Sequence, residues 1–187
     1  MVAPAAFVEE LAAARIGQTF NPYHRSQLRR ARLVGYLDSR RDARILLVGE
    51  APGYRGARVS GIPFTSERQL TGVGPAEATA TIVHRVLAEL GLEEDVLLWN
   101  VVPTHPGTAS TNRRPTRVEV ESGLPFARTL TRGRRVVCVG RLAAAWLDGP
   151  YIRHPSHGGA EAFRSGLASC SASDTDLLTT NVTSSRC

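Results

Sequence analysis

Three unbroken apolar runs, Ile45-Leu46-Leu47-Val48, Val96-Leu97-Leu98-Trp99 and Val136-Val137-Cys138-Val139, constrain the fold of this chain more than any other feature. None alternates with polar residues, so each reads as a strand buried on both faces, which requires helices above and below a sheet. The segments between them supply those helices. Residues 5–16 form an amphipathic helix with Phe7, Val8 and Leu11 on one side. After the break at Asn21-Pro22, an Arg-rich helix runs from Tyr23 to Leu37. A helix opens at Pro75 and ends near Leu90, before Gly91, and another runs from Thr116 to about Leu130. A short helix over 141–147, a last short strand at Tyr151-Ile152 and a helix from Ala160 to Leu167 complete the pattern. Strands alternating with helices predict an α/β fold: a three-layer α/β/α sandwich with a central, mostly parallel four-stranded sheet.

In such a sheet the segments just past the carboxyl ends of the strands converge on one crevice. Here those segments are Gly49-Glu50-Ala51-Pro52-Gly53, Asn100 with Val101-Val102-Pro103, and His154-Pro155-Ser156, about fifty residues apart. Residues 54–74 and 103–116 are expected to form long polar loops around them. A carboxylate, an amide and an imidazole meeting there can position water, read a planar heterocycle and stabilise a leaving anion. That set suits cleavage of a base from a sugar. Each residue also has a duller explanation: a turn or cap for Glu50, core packing for Phe64, strand-end hydrogen bonds for Asn100 and a loop contact for His154.

The length of 187 residues and an apolar fraction of 42% fit a single domain with a real core, taken as residues 1–168. Residues 169–187, rich in Ser and Thr, are expected to form a disordered tail. No stretch approaches the roughly 18 apolar residues of a membrane span, and no secretory signal opens the chain, so a cytoplasmic protein is expected. The net charge of +6 comes from 23 arginines without a single lysine, which excludes a lysine Schiff base. Seven of these arginines (25, 29, 30, 32, 40, 41 and 44) fall in residues 21–44 against Asp38 and Asp42. Such a stripe fits either an anionic polymer or a solvated helix face. Cys138 reads as a core residue, and the three scattered cysteines form no metal or disulfide framework.

Five segments in order carry a resemblance: Gly49-Glu50-Ala51-Pro52-Gly53, Gly61-Ile62-Pro63-Phe64, Asn100-Val101-Val102, Asn112-Arg113-Arg114-Pro115-Thr116 and His154-Pro155-Ser156. Over residues 44–167 the chain resembles the uracil-DNA glycosylase superfamily, with its family-4-like branch the closest pattern. The resemblance implies a monofunctional enzyme, a monomer without AP-lyase activity, that flips a nucleotide out of DNA and hydrolyses its N-glycosidic bond. By position, Glu50 would activate or position the water, Phe64 would stack on the base and Asn100 would bond its Watson–Crick edge. His154 would donate to the ring oxygen that gains charge as the base leaves, and Tyr54 would wall off the 5-position. Arg113, Arg114, Arg153, Ser156 and His157 are the candidates for DNA contacts.

The departures are informative. Family-4 members carry an iron–sulfur cluster, but Thr104 stands where a cysteine would follow the asparagine motif and its partner cysteines are absent, so no metal or other cofactor is expected. The segment Ser110-Thr111-Asn112-Arg113-Arg114 lacks the histidine of the branch that crosslinks to DNA. After His154-Pro155-Ser156 the chain offers His157-Gly158-Gly159 instead of a bulky apolar wedge, which favours single-stranded or weakly paired DNA. Uracil is the base expected first. A modified pyrimidine, such as a hypermodified phage cytosine removed in antiviral defence, and a non-catalytic DNA-binding protein on the same fold both remain open.

Overall fold

A computed structural model of the chain describes residues 3–172. Its elements are, in order, α1 (Pro4–Ala13), α2 (Gln27–Ser39), β1 (Ile45–Gly49), α3 (Ala57–Ser60), α4 (Glu67–Thr71) and α5 (Ala78–Glu89). There follow β2 (Val96–Asn100), α6 (Arg117–Thr131), β3 (Arg135–Val139), α7 (Arg141–Trp146), β4 (Tyr151–Ile152) and α8 (Ala160–Ala172). The four strands form one sheet in the order β2-β1-β3-β4, with every pairing parallel. This is the three-layer α/β/α arrangement that the apolar runs predict.

The strands β1 and β2 bury both faces along their whole length, and successive residues serve opposite layers. Leu46, Val48, Leu97, Trp99 and Cys138 pack with Phe7 and Leu11 of α1, Leu33 and Leu37 of α2, and Leu124 and Phe126 of α6. On the other face Ile45, Leu47, Val96, Leu98, Val137 and Val139 meet Val83, Val86 and Leu87 of α5 and Phe163, Leu167 and Cys170 of α8. Phe7 joins the helical layer to the sheet, with its ring 5.5 Å from Trp99 and 5.7 Å from Phe126 in an edge-on contact. Cys138 lies in this core as expected, and burial pushes its thiol up to about 11. The exposed flank of β2 is not left bare: the Leu98 N–H donates to the Tyr36 hydroxyl at 2.7 Å.

Two expectations need correction. Helix α8 does not stop at Leu167 but runs to Ala172, because Phe163, Leu167 and Cys170 recur at helical spacing and all three are buried. The rest of the expected tail, 173–187, lies outside the described residues. The basic stripe of residues 21–44 is mostly engaged within the protein. Arg30 pairs with Glu9, Arg40 with Glu94, Arg41 with Asp38 and Arg44 with Asp95. Arg29 and Arg32 bind the loop after β1, as described below. Among the described residues, five of the seven arginines thus face a carboxylate, while Arg29 bonds only backbone carbonyls.

Helix α6 sits directly on the chain that leaves β2. A Cβ on Gly123 would lie 2.7 Å from the Val101 carbonyl oxygen and 3.0 Å from Val102 Cα. Glycine to alanine inside a helix ordinarily gains up to about 1 kcal/mol. Here the obstacle is backbone, so Gly123→Ala is expected to cost about 1–3 kcal/mol. At about 2–4 °C per kcal/mol for a chain of this size, a thermal melt should show a fall of roughly 2–12 °C. An unchanged or higher Tm would mean that α6 can slide away from Val101.

Candidate active site

The sheet order sets the location. The connection from β1 goes to one side, to β2, and the next crosses back to β3, so a crevice opens beyond their carboxyl ends. Gly49, the last residue of β1, is in register with Asn100, the last of β2. The pairing continues into the loops: Val101 N–H donates to the Gly49 carbonyl at 2.9 Å and Val102 N–H to that of Glu50 at 3.0 Å. Glu50 and Asn100 are therefore held at one level by backbone. Gly49 has no side chain because there is no room for one: a Cβ would strike the Phe64 ring and lie 3.1 Å from Asn100 Oδ1. Phe64 reaches that place with φ of +52°, a left-handed conformation uncommon for a bulky residue and a form of local strain.

Beyond the strand ends lies a cavity of about 380 Å³, lined among others by Glu50, Phe64, Glu77, Asn100, His154 and Ser156. The loop from Tyr54 to Gly74 that carries Phe64 contains α3 and α4 and is braced by the arginines of α2. Arg29 Nε donates to the Val59 carbonyl at 2.8 Å, and Arg32 makes two 2.9 Å bonds to the Glu67 carboxylate. The Tyr23 hydroxyl adds a bond to the Gly61 carbonyl at 3.0 Å. Two of the seven arginines of the basic stripe thus fix the pocket wall.

The loop 103–116 is pinned by His105, fully buried between two carbonyls, those of Pro52 and Thr108, each 2.8 Å from a ring nitrogen. Thr104, at the position of the missing cysteine, is also buried and bonds the Thr19 hydroxyl.

Electrostatics separate the two titrating groups. Burial raises the Glu50 pKa above its ordinary value, while the positive charge of Arg114 opposes the rise. His154 is held below its ordinary value by burial, with the nearby His157 adding to the effect. The Ser156 N–H donates to His154 Nδ1 at 3.2 Å, which makes that nitrogen an acceptor. The ring is therefore neutral, with its proton on Nε2. The Ser156 hydroxyl lies 2.8 Å from the same Nδ1 and 3.0 Å from His157 Nδ1, tying the two imidazoles together.

A carboxylate, an amide held beside an aromatic ring, and a neutral imidazole share one cavity at the carboxyl ends of a parallel sheet. The family model described as "Uracil DNA glycosylase superfamily" matches residues 35–183 of the chain. The chain belongs to that superfamily. At this level it is a DNA glycosylase. Among solved structures, the crystal structure of wild-type SMUG2 from Pedobacter heparinus is similar in fold, with a TM-score of 0.68 at 14% identity. The alignment covers 94% of this chain and all of that one. No curated protein matches the sequence.

In the glycosylase, Glu50, Phe64, Asn100, His154, Ser156 and His157 are brought together around the cavity, and Arg113 reaches its rim. Tyr54 is not among the lining residues. Its N–H is held by Asn112 Oδ1 at 2.9 Å and its ring lies beneath the Arg55 guanidinium, so it does not wall the pocket as expected. Arg113 is committed elsewhere: both terminal nitrogens bond the buried carboxylate of Glu119, at 2.6 and 2.8 Å. It shapes the loop and is not free for phosphate. Arg114 stays exposed and close enough to act on Glu50, and Arg153 bonds the His157 carbonyl.

Sequence reasoning missed Glu77 and His105. Glu77 stands at a helix start with no motif around it, and His105 follows the asparagine motif with no recognisable spacing. Among the described residues no three His, Cys, Asp or Glu side chains are grouped so as to hold a metal ion.

Proposed function

We propose that the chain is a monofunctional glycosylase that draws a flipped nucleotide into this cavity and hydrolyses its N-glycosidic bond, with uracil the base it releases. The observation that carries the reading is that Glu50, Asn100 and His154 line one cavity, the imidazole neutral and its Nε2 proton available. As the bond breaks, the sugar gains cationic character and the base negative charge. An ionised Glu50 stabilises the first and positions water; the Nε2–H of His154 stabilises the second. Both interactions are stronger in the transition state than in the ground state, which is what accelerates a reaction. Phe64 provides a face for stacking and Asn100 an amide that donates to O4 and accepts from N3–H.

The loop after His154-Pro155-Ser156 turns at His157 and Gly158, both with positive φ, and carries no large apolar side chain. Filling the gap of a flipped base in a duplex needs such a wedge, so single-stranded or weakly paired DNA is the favoured substrate.

The test is base release followed by mass spectrometry on deoxyuridine DNA, single-stranded and paired. Free uracil with an intact phosphodiester backbone is the expected result, faster from the single strand. DNA binding without release of any base would instead identify a non-catalytic DNA-binding protein.

A further inference from the structure

The cavity holds a second carboxylate that the proposed reaction does not use. Glu77 immediately precedes α5 and lines the same cavity as Glu50, Phe64 and Asn100. It lies across the segment that follows Glu50: a Cβ on Gly53 would collide with its Oε1, and one on Gly56 with its Oε2. Gly53 is not in the left-handed region, so its own backbone does not demand glycine there. What occupies the place of its side chain is the Glu77 carboxylate. Among the described residues that carboxylate has no hydrogen bond and no ion pair. Burial raises its pKa and no neighbouring cation offsets the rise.

A carboxylate with no protein partner at the wall of a cavity is hydrated while the cavity is open, and it loses that water when a base enters unless the base itself pairs with it. It is also badly placed for a bare uracil, because its negative charge opposes the charge that develops on the departing base. Both penalties disappear if the base presents a donor. We propose that Glu77 is a specificity residue that accepts a hydrogen bond from a donor group carried by the flipped pyrimidine on the side facing Gly53 and Gly56, either an exocyclic amino group or a hydroxyl on a 5-substituent. Carboxylates read amino groups of bases in this way. A base that carries the donor is then preferred over uracil, which is still released but leaves the carboxylate without a partner. The inference rests on the cavity being a base pocket and names the chemical class of base that it prefers.

The experiment compares four DNAs carrying deoxyuridine, deoxycytidine, 5-hydroxymethyl-deoxyuridine or 5-hydroxymethyl-deoxycytidine, with wild type, Glu77→Met and Glu77→Gln. The readouts are kcat/KM for base release and, independently, binding of the same DNAs by fluorescence anisotropy. In the wild type, at least one donor-bearing base should exceed uracil. The cytidine arm reports an exocyclic amino group and the hydroxymethyl arm a 5-substituent. Methionine keeps length without an acceptor and should lower the donor-to-uracil ratio tenfold or more, as expected for loss of one charged hydrogen bond. Glutamine keeps one acceptor oxygen and should fall between.

Removing a partly buried charge should leave the Tm at pH 7 at or above that of the wild type, which separates lost recognition from lost folding. A ratio unchanged by Glu77→Met in every arm overturns the inference. If the wild type releases no base at all, the glycosylase reading fails, and the binding ratio alone decides the role of Glu77.

Discussion

Glu50→Gln is expected to lower kcat for base release at least 100-fold while raising, not lowering, the melting temperature at pH 7. The loss of rate follows from the carboxylate's role: an amide can neither activate water nor balance a cationic sugar, and such groups contribute about 10²–10⁴-fold. The gain in stability follows from the direction of the pKa shift. Burial raises the folded-state pKa of Glu50 above the unfolded value of 4.5. The folded protein therefore holds that proton more tightly. The associated stability is fully present below about pH 4.5 and is lost as pH rises through the folded pKa.

At pH 7 the wild type bears the cost of an ionised, half-buried carboxylate, and the glutamine variant does not. The two melting curves should converge as the pH is lowered towards 4. The activity of the wild type should show the same titration from the other side: kcat/KM falls as Glu50 takes up its proton and stays flat above neutrality, where His154 is already neutral. Arg114→Ala should move that acid limb to higher pH, because the Arg114 charge opposes the rise in the Glu50 pKa. A glutamine variant that keeps full activity, or melts lower across the whole range, would remove Glu50 from the mechanism.

The second large effect lies away from the cavity. Glu119 is 1% exposed and gathers four interactions: two bonds from Arg113, the Thr116 N–H at 2.9 Å and the Gln18 N–H at 3.3 Å. With Thr116 it forms a capping box that starts α6, the Thr116 side chain accepting from the Glu119 N–H. The hydrogen bonds from Arg113 are the main reason its carboxyl is held at about 2.

Glu119→Ala keeps the Thr116 N-cap but removes the other half of the capping box and leaves Arg113 and two backbone donors without their partner. A cost of about 3 kcal/mol is expected, the lower end for breaking a buried pair because Arg113 is partly solvated. That corresponds to roughly 6–12 °C in Tm. Here the folded pKa is depressed, so the stability is present above the unfolded value and is lost as pH falls through about 2. The gap between wild type and variant should narrow as the pH falls from 4.5 towards 2. Activity should suffer with it, since the same pair positions the 103–116 loop and, through it, Arg114 beside Glu50. A variant that melts within a degree of the wild type would show that Arg113 and Glu119 merely coincide.

Much of this protein is written in local sequence. Short unbroken apolar runs flanked by charge and glycine read as strands covered on both faces; Ile45–Gly49 and Val96–Asn100 take that place in a parallel sheet, with Arg135–Val139 beside them. Thr116 with Glu119 marks a helix start by chemistry that acts over three residues. Because strand ends in a parallel sheet converge, the sequence alone assigns Glu50, Asn100 and His154 to one crevice. The pairing of charges was not legible, since partners such as Arg32 and Glu67 lie 35 positions apart and only the packed loop brings them into contact. The same holds for the Arg113 guanidinium turned inward to Glu119 and for Tyr54 turned away from the cavity. Glu77 shows the limit most clearly. Its neighbours in sequence describe a helix terminus, while its chemistry is set by Gly53 and Gly56, more than twenty residues earlier, whose missing side chains leave the space its carboxylate fills. Periodicity, caps and strand ends are short-range properties that sequence determines by itself. Burial, ion pairing and the occupant of an empty Cβ position are sums over distant segments, and the tertiary structure alone decides them.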